Sequence, residues 1–411
     1  MFDIELVCSY QGRELQSSII EILSSTIDTM VRTSDLVTFF IFFAVACTMI
    51  YVITMYTLFP AMVKIPNQAV FVPESIPSSD IIEQNIKEIL KSRPSLISHP
   101  PIAEDLGYRP LLDIVENWNP DTPDIPFDFK ETLQHFDYGN PEERAMAERD
   151  RNAELPFKLF NITEFHHTPH LWSNQYLHEQ LKMQARSHVE RSKDNHFMYW
   201  TNKGKRGGYT PPTEIISMTY DEWLGKALEA DENHLRNNTE HYYFMTSAPP
   251  HDHGRTFVSR DLPLFSTDKN NFFITNVPAN KGIQCRFGMR GVIAESHYDS
   301  GRNMVAMLKG AKRYILNPPW SCKQLGIIAD RKHPSYRHSV FDWSDPVQAR
   351  SHGFAKVDGI DTILRTGQVL YIPTYWLHYM VSLNYSIQCN SRSGTPPHHE
   401  GQNHNQECMH Q

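Results

Sequence analysis

The sequence contains no Cys-x-x-Cys pair, and its 6 cysteines are scattered over 411 residues. That excludes a zinc ribbon and a disulfide-dense mini-scaffold. An excess of positive charge is missing too: 39 Lys and Arg face 47 Asp and Glu, for a net charge of −8. A general nucleic-acid binder needs a basic face, so no nucleic-acid partner is expected. No repeat of solenoid period is visible, which removes the stacked-repeat architectures. Nor is the chain polar enough to stay unfolded, with 40% hydrophobic and 21% charged residues.

The mean hydropathy of −0.46 reads as a soluble protein, but the apolar residues are unevenly spread. Between Leu36 and Val63 there is no charge at all, with Asp35 and Lys64 as the bounds. A helix over the 24 residues 36–59 reaches ~36 Å, enough for a ~30 Å hydrocarbon core. A buried helix of a large domain is the alternative, and the uninterrupted run speaks against it. Ala44-Val45-Ala46 resembles a signal-peptidase site, yet a long acidic segment precedes it and apolar sequence continues beyond it. The run predicts an uncleaved signal-anchor, a transmembrane helix in contact with membrane lipid.

Arg32 and Lys64 are the only basic residues within 20 positions of either end, so the positive-inside count is nearly silent. A short tail before one span, with sequons at Asn161, Asn237 and Asn384, is consistent with a lumenal C-terminal domain in the endomembrane system. Residues 1–59 carry a net −4, which leaves the other −4 for residues 60–411, close to neutral for so large a region.

Five regions are expected. Residues 1–35 form a tail in which Ile19, Ile20, Leu23, Ile27, Met30 and Val31 fall at helical spacing. The transmembrane helix occupies 36–59. A Pro-punctuated stalk over 60–147 holds short helices, with Ile81–Ser92 and the charge-rich Pro141–Glu154 as candidates. A folded domain covers 148–394, and a polar, His-rich tail covers 395–411. In the domain, helical candidates (Trp172–Ala185, Tyr220–Ala230) come first. Short β-rich runs follow at Phe272–Thr275, Val305–Leu308, Arg313–Leu316 and Val369–Ile372, with Gly301, Gly310 and Gly367 near their edges. This order predicts a mainly β domain with helical additions, a barrel or jelly roll.

His297 and Asp299 in SHYDSGRN, with His378 in YIPTYWLHYM, form the candidate metal centre. A His-x-Asp pair plus a distant His is the composition of a facial triad, which holds Fe(II) and leaves open positions. The pair alone is a weak signal among 21 His: His135-Phe136-Asp137 matches equally, and His398-His399-Glu400 nearly so. Context separates them. His135 precedes the folded domain and His398 lies in the polar tail, whereas His378 closes an apolar run at a turn. HHTPH at 166–170 and HDH at 251–253 offer imidazoles, but neither shows a third ligand in the sequence.

Residues 148–394 resemble the JmjC/cupin-like family of Fe(II)- and 2-oxoglutarate-dependent oxygenases, especially its small hydroxylase branch. The resemblance rests on HYD at 297–299, Asn303, KGAKRYILNPP at 309–319, GQVLYIPTYWLH at 367–378 and SIQCN at 386–390, in the family's order. It implies a double-stranded β-helix, with His297, Asp299 and His378 as ligands of Fe(II) and 2-oxoglutarate as co-substrate. Lys312 matches the lysine that pairs with the distal carboxylate of 2-oxoglutarate, and Lys309 is its competitor. Asn303 and Asn390 match polar residues around co-substrate and metal. Tyr243 matches a tyrosine that touches the same carboxylate, with Tyr242 as an adjacent rival.

Three positions depart from the pattern. Ala294 stands where some hydroxylases have Thr, and Gln368 where the GD-x-LYIP turn has an acid. Arg392 replaces a Trp of the asparaginyl-hydroxylase branch, and either binds the co-substrate as a second partner for its carboxylate or faces solvent. The resemblance, taken with the charge-free run 36–59, leads to the expectation of a membrane-anchored oxygenase with a protein side chain as substrate. A demethylase fits poorly with a membrane span, and an RNA hydroxylase with a near-neutral domain. A non-catalytic cupin binding module fits poorly with a complete His297, Asp299, His378 and Lys312. Cys285, Cys322, Cys389 and Cys408 could pair in a lumenal domain, in no order that the sequence sets, and the oligomeric state is equally open.

Overall fold

The computed structural model describes residues 107–182, 187–201, 209–234 and 239–395. The expected tail helix, the span 36–59, the helix Ile81–Ser92 and the tail beyond Thr395 lie outside them. Among the described residues no helix is long and apolar enough to cross a membrane.

Eight strands make the centre: β1 (Asn280–Gly288), β2 (Ile293–Tyr298), β3 (Asn303–Lys309), β4 (Ala311–Asn317), β5 (Asp358–Arg365), β6 (Val369–Ile372), β7 (Leu377–Ser382) and β8 (Ser386–Ser393). One sheet orders them β1-β8-β3-β6 and the other β2-β7-β4-β5, all neighbours antiparallel. The chain changes sheet at every step except β4 to β5, as a jelly roll requires, and the expected fold class stands. Gly310 (φ 71°) makes the turn from β3 to β4. A Cβ there would meet the Tyr385 carbonyl oxygen at 2.3 Å, so only glycine fits.

Further strands widen the β1 sheet, beginning with His241–Ala248 beside β1. The helix Tyr220–Glu232 starts at a capping box between Thr219 and Glu222 and buries Tyr220, Trp223, Ala227 and Ala230. Trp223 packs edge-on to Phe287 of β1 with ring centroids 5.8 Å apart. β3 and β6 are buried almost throughout. Cys285 and Cys389, opposite each other on β1 and β8, form a disulfide, which settles one of the open pairings.

Five expectations need adjustment. The helix expected over Trp172–Ala185 runs Asn174–Leu181, because the Ser173 side chain caps it by accepting from the Tyr176 N–H. The helix at Tyr220 extends two residues further than expected, and the charge-rich one covers Pro141–Asn152. Phe272–Thr275 is not a strand: the Asn271 side chain accepts from the N–H groups of Phe273 and Ile274, at 2.8 and 2.7 Å, and turns the chain. The boundary expected at residue 148 falls inside packed structure. The helix Leu111–Asn117 buries Leu111, Ile114 and Val115, while Trp118, Leu133 and Phe136 are buried as well.

Candidate metal centre

β2 and β7 pair so that His378 stands opposite His297. Side chains two apart on an extended chain share a face, which sends His297 and Asp299 the same way. One ligand atom from each of His297, Asp299 and His378 lies within 4.8 Å of the others. The Nδ1 atoms point away from this meeting place: that of His297 is 2.8 Å from the Glu295 carbonyl and that of His378 3.1 Å from the Trp376 carbonyl. With Nδ1–H donating to the backbone, each Nε2 lone pair is left for a metal.

Burial, the largest influence, lowers the pKa of both imidazoles and keeps them neutral. Burial alone would raise Asp299, but the positive charge of Arg392, with Arg337 adding to it, outweighs burial and brings the carboxyl down to about 2. Two neutral imidazoles and an ionised carboxylate are a donor set that fits a ferrous ion.

Asp299 is held from behind. Arg392 Nη1 is 2.5 Å from its Oδ1, and Asn303 donates to its Oδ2 at 3.3 Å. Asn390 in turn donates to Asn303 Oδ1 at 2.8 Å. Arg392, expected either to partner the co-substrate carboxylate or to face solvent, is instead bonded to the carboxylate of Asp299.

The three ligands open onto a cavity of about 310 Å³. Tyr243, Arg286, Glu190, Gln388 and Tyr314 form a second polar group on its wall, and Ala294 also lines it. Lys312 is fully buried and does not line the cavity; its Nζ donates to the Tyr243 hydroxyl at 3.1 Å. Burial, followed by the charge on Arg286, pushes Lys312 well below the usual lysine pKa. The rivals are disposed of by their own partners. Lys309 donates to Asn174 Oδ1 at 2.6 Å, and the Tyr242 hydroxyl donates to Glu240 at 2.7 Å. Gln368 caps its turn by accepting from the Arg365 N–H.

Among the wall residues that sequence reasoning missed, three stand out. The Arg286 guanidinium faces the cavity with no hydrogen bond or ion pair among the described residues. His338 stacks on His297 with centroids 5.0 Å apart, and Arg337 comes within 3.7 Å of Asp299. Both belong to the long β4–β5 connection, whose irregular sequence carries no periodic signal. For Arg286 a signal existed: it sits two residues from Gln284 on a strand whose other face is Ile283, Cys285 and Phe287.

Among the described residues, two groups of three converge as metal ligands: the triad, and His251, His253 and Asp268. The HDH motif thus gains the third partner that the sequence did not reveal. His166, His167 and His170 only touch edge-on, with centroids 5.4 and 5.9 Å apart. Asp137 is occupied by the Gly139 N–H and the Asn161 amide, and His398 lies outside the described residues.

Comparison with known proteins places this geometry. The family described as Cupin-like domain matches residues 147–391. The chain is 23% identical over 182 residues to tRNA wybutosine-synthesizing protein 5 of Danio rerio, covering 42% of this chain and 52% of the relative. It is 31% identical over 113 residues to JmjC domain-containing protein D of Dictyostelium discoideum, covering 27% of this chain and 25% of the relative. It is 26% identical over 180 residues to JmjC domain-containing protein A of the same organism, covering 43% and 69%. The chain thus spans about half the length of the first of these relatives and a quarter of the second. Because the match takes in more than half of the chain, with all three candidate ligands, the chain belongs to the Cupin-like family of JmjC, 2-oxoglutarate-oxygenase type.

Proposed function

We propose that the chain is an Fe(II)- and 2-oxoglutarate-dependent dioxygenase that hydroxylates a protein side chain, anchored by residues 36–59 with its barrel in the lumen of the endomembrane system. The observation that carries the catalytic reading is the meeting of His297, Asp299 and His378 on the wall of a cavity that also presents the guanidinium of Arg286. Iron and 2-oxoglutarate, when bound, supply the oxidising power. The protein orients and shields. His297, Asp299 and His378 hold the metal, with their direction set by backbone carbonyls, Arg392 and Asn303. Arg286 and Tyr243, with Lys312 behind, offer donors to the distal carboxylate of the co-substrate. Asn390 steadies Asn303 beside the metal end.

RNA hydroxylation is raised by the likeness to tRNA wybutosine-synthesizing protein 5, and the net charge of −8 favours a protein substrate over it. The charge-free run supports the anchor. The Cys285–Cys389 disulfide supports an oxidising compartment.

Anaerobic addition of Fe(II) and 2-oxoglutarate should give the weak visible charge-transfer band of a chelated ferrous ion, and His378→Ala should abolish it. A wild-type protein without the band overturns the reading. For orientation, an endoglycosidase shift that disappears in Thr163→Ala is expected. That variant destroys the sequon while leaving the exposed Asn161 in place. Digestion of the barrel by protease added to intact microsomes would refute the lumenal placement.

A further inference from the structure

The loop after strand His241–Ala248 reads PPHDHG, and two of its histidines hold a backbone conformation that side chains avoid. His251 has φ 57° and His253 φ 52°. Histidine visits this region more readily than most residues, but each such residue still costs on the order of 1 kcal/mol or more and persists only where its surroundings impose it. Here Asp252 imposes it. Its buried carboxylate accepts from the Thr256 N–H at 2.7 Å, from the Thr256 hydroxyl at 2.8 Å and from the Ser259 hydroxyl. Anchoring the middle residue inward leaves both flanking imidazoles outside, with ring centroids 6.2 Å apart.

A third group meets them from a separate stretch of chain. Asp268 Oδ2 lies 3.4 Å from His253 Nδ1, and all three residues are exposed. Their ligand atoms fall within 4.8 Å of one another, the same closeness as in the triad, with no residue shared. A tetrahedral ion with bonds of about 2.0–2.1 Å needs ligand atoms roughly 3.4 Å apart. Small rotations of exposed side chains close that gap. An ion pair between His253 and Asp268 would need neither the second imidazole nor the second left-handed residue.

We propose that His251, His253 and Asp268 form a second metal site on the barrel surface, for a divalent transition ion of the zinc class. Two imidazoles and one carboxylate suit Zn²⁺, and three protein ligands leave a position for water or an outside donor. His251, His253 and Asp268 also line a small recess with Pro249, Pro250 and Phe265.

Zinc titration of the full chain by calorimetry tests this, with a His251→Asn/His253→Asn variant alongside. Asparagine tolerates the left-handed backbone, so the loop keeps its path while losing both imidazoles. The variant should bind one zinc equivalent fewer than wild type, with its zinc-free melting temperature unchanged. Asp268→Asn should weaken that equivalent about tenfold or more. His378→Ala, which disables the triad, should retain it. Equal stoichiometry and affinity in wild type and the double variant overturn the proposal.

Discussion

Arg392 and Arg286 lie on one cavity, yet they have different work. Arg392 is bonded to Asp299 and is the main positive influence holding that carboxyl near 2. Arg392→Leu should leave the barrel folded and weaken Fe(II) about 10–100-fold, the usual cost of removing a group that orients a metal ligand; equilibrium metal binding checks it. Arg286 has no such tie. Arg286→Leu should raise the KM for 2-oxoglutarate at least tenfold while Fe(II) affinity stays within twofold. A joint loss of both affinities would place Arg286 with the metal instead. The two residues also differ in how visible they were. Asp299 and its histidines were legible through context alone: His135-Phe136-Asp137 also lies on a strand, but only 297–299 stands in the run of motifs that the family resemblance rests on. Arg286 was hidden by an inversion of the usual rule. On β1 the packed face is the outer one, carrying Cys285 and Phe287 under the helix, while the face turned into the barrel is polar. Read without the fold, that polar face looks like a solvent face.

Strands were legible where packing agrees with local composition. Val305–Leu308 and Val369–Ile372 are apolar on both faces because both are covered, and Arg313–Leu316 sits inside a strand one or two residues longer at each end. Phe272–Thr275 has the same composition and a different fate, decided by one Asn271 side chain. What ties strands together across long separations leaves no such trace. The Cys285–Cys389 disulfide closes a loop of 104 residues between β1 and β8. Chain entropy alone assigns such a crosslink about 4–5 kcal/mol, and measured values run lower. A Cys285→Ala/Cys389→Ala variant should therefore lose about 2–4 kcal/mol in denaturant unfolding, and reductant should lower the wild-type melting temperature.

A second tie, Glu131, joins the segment before the barrel to β5. It takes hydrogen bonds from Lys158 at 2.5 Å, from the Ile363 N–H at 2.9 Å and from the Thr362 hydroxyl. Burial would raise its pKa, but these donors win and lower it. A depressed acid stabilises the fold above its unfolded pKa of about 4.3 and loses that contribution as pH falls through the lower folded value. Burial lowers Lys158 on the alkaline side, so within this pair the acid-side dependence is that of Glu131. Stability measured between pH 6 and 3 should fall less steeply in Glu131→Gln than in wild type.

At the scale of the whole molecule, the question is where the folded unit begins. Pro110, Pro120, Pro123 and Pro126 made residues 107–147 read as stalk, and up to residue 140 they are locally right: that stretch has one seven-residue helix and two strands of two and three residues. Proline, however, limits backbone hydrogen bonding and says nothing about whether the side chains between prolines are buried. Arg313 shows what those side chains are for. It is fully buried on β4 in a two-point contact with Asp361, at 2.9 and 2.6 Å. Its remaining donors reach the carbonyls of Trp118, at 2.8 Å, and Ile114, at 3.4 Å, with the Trp118 ring 4.0 Å from the guanidinium. A chain that begins at residue 148 strips those acceptors from a buried cation, at about 1–3 kcal/mol for each donor left unmet. It also uncovers the partners of Leu111, Ile114, Val115, Leu133 and Phe136, each worth about 1.5–3 kcal/mol when buried. The sum reaches the whole stability of an ordinary domain, about 5–15 kcal/mol. A chain beginning at residue 148 should therefore show no cooperative thermal transition, whereas one beginning at residue 107 should melt as a unit and bind Fe(II). Trp118→Ala in the full chain should cost about 3–5 kcal/mol by itself. A cooperative transition in the shorter chain would return residues 107–147 to the role of a stalk.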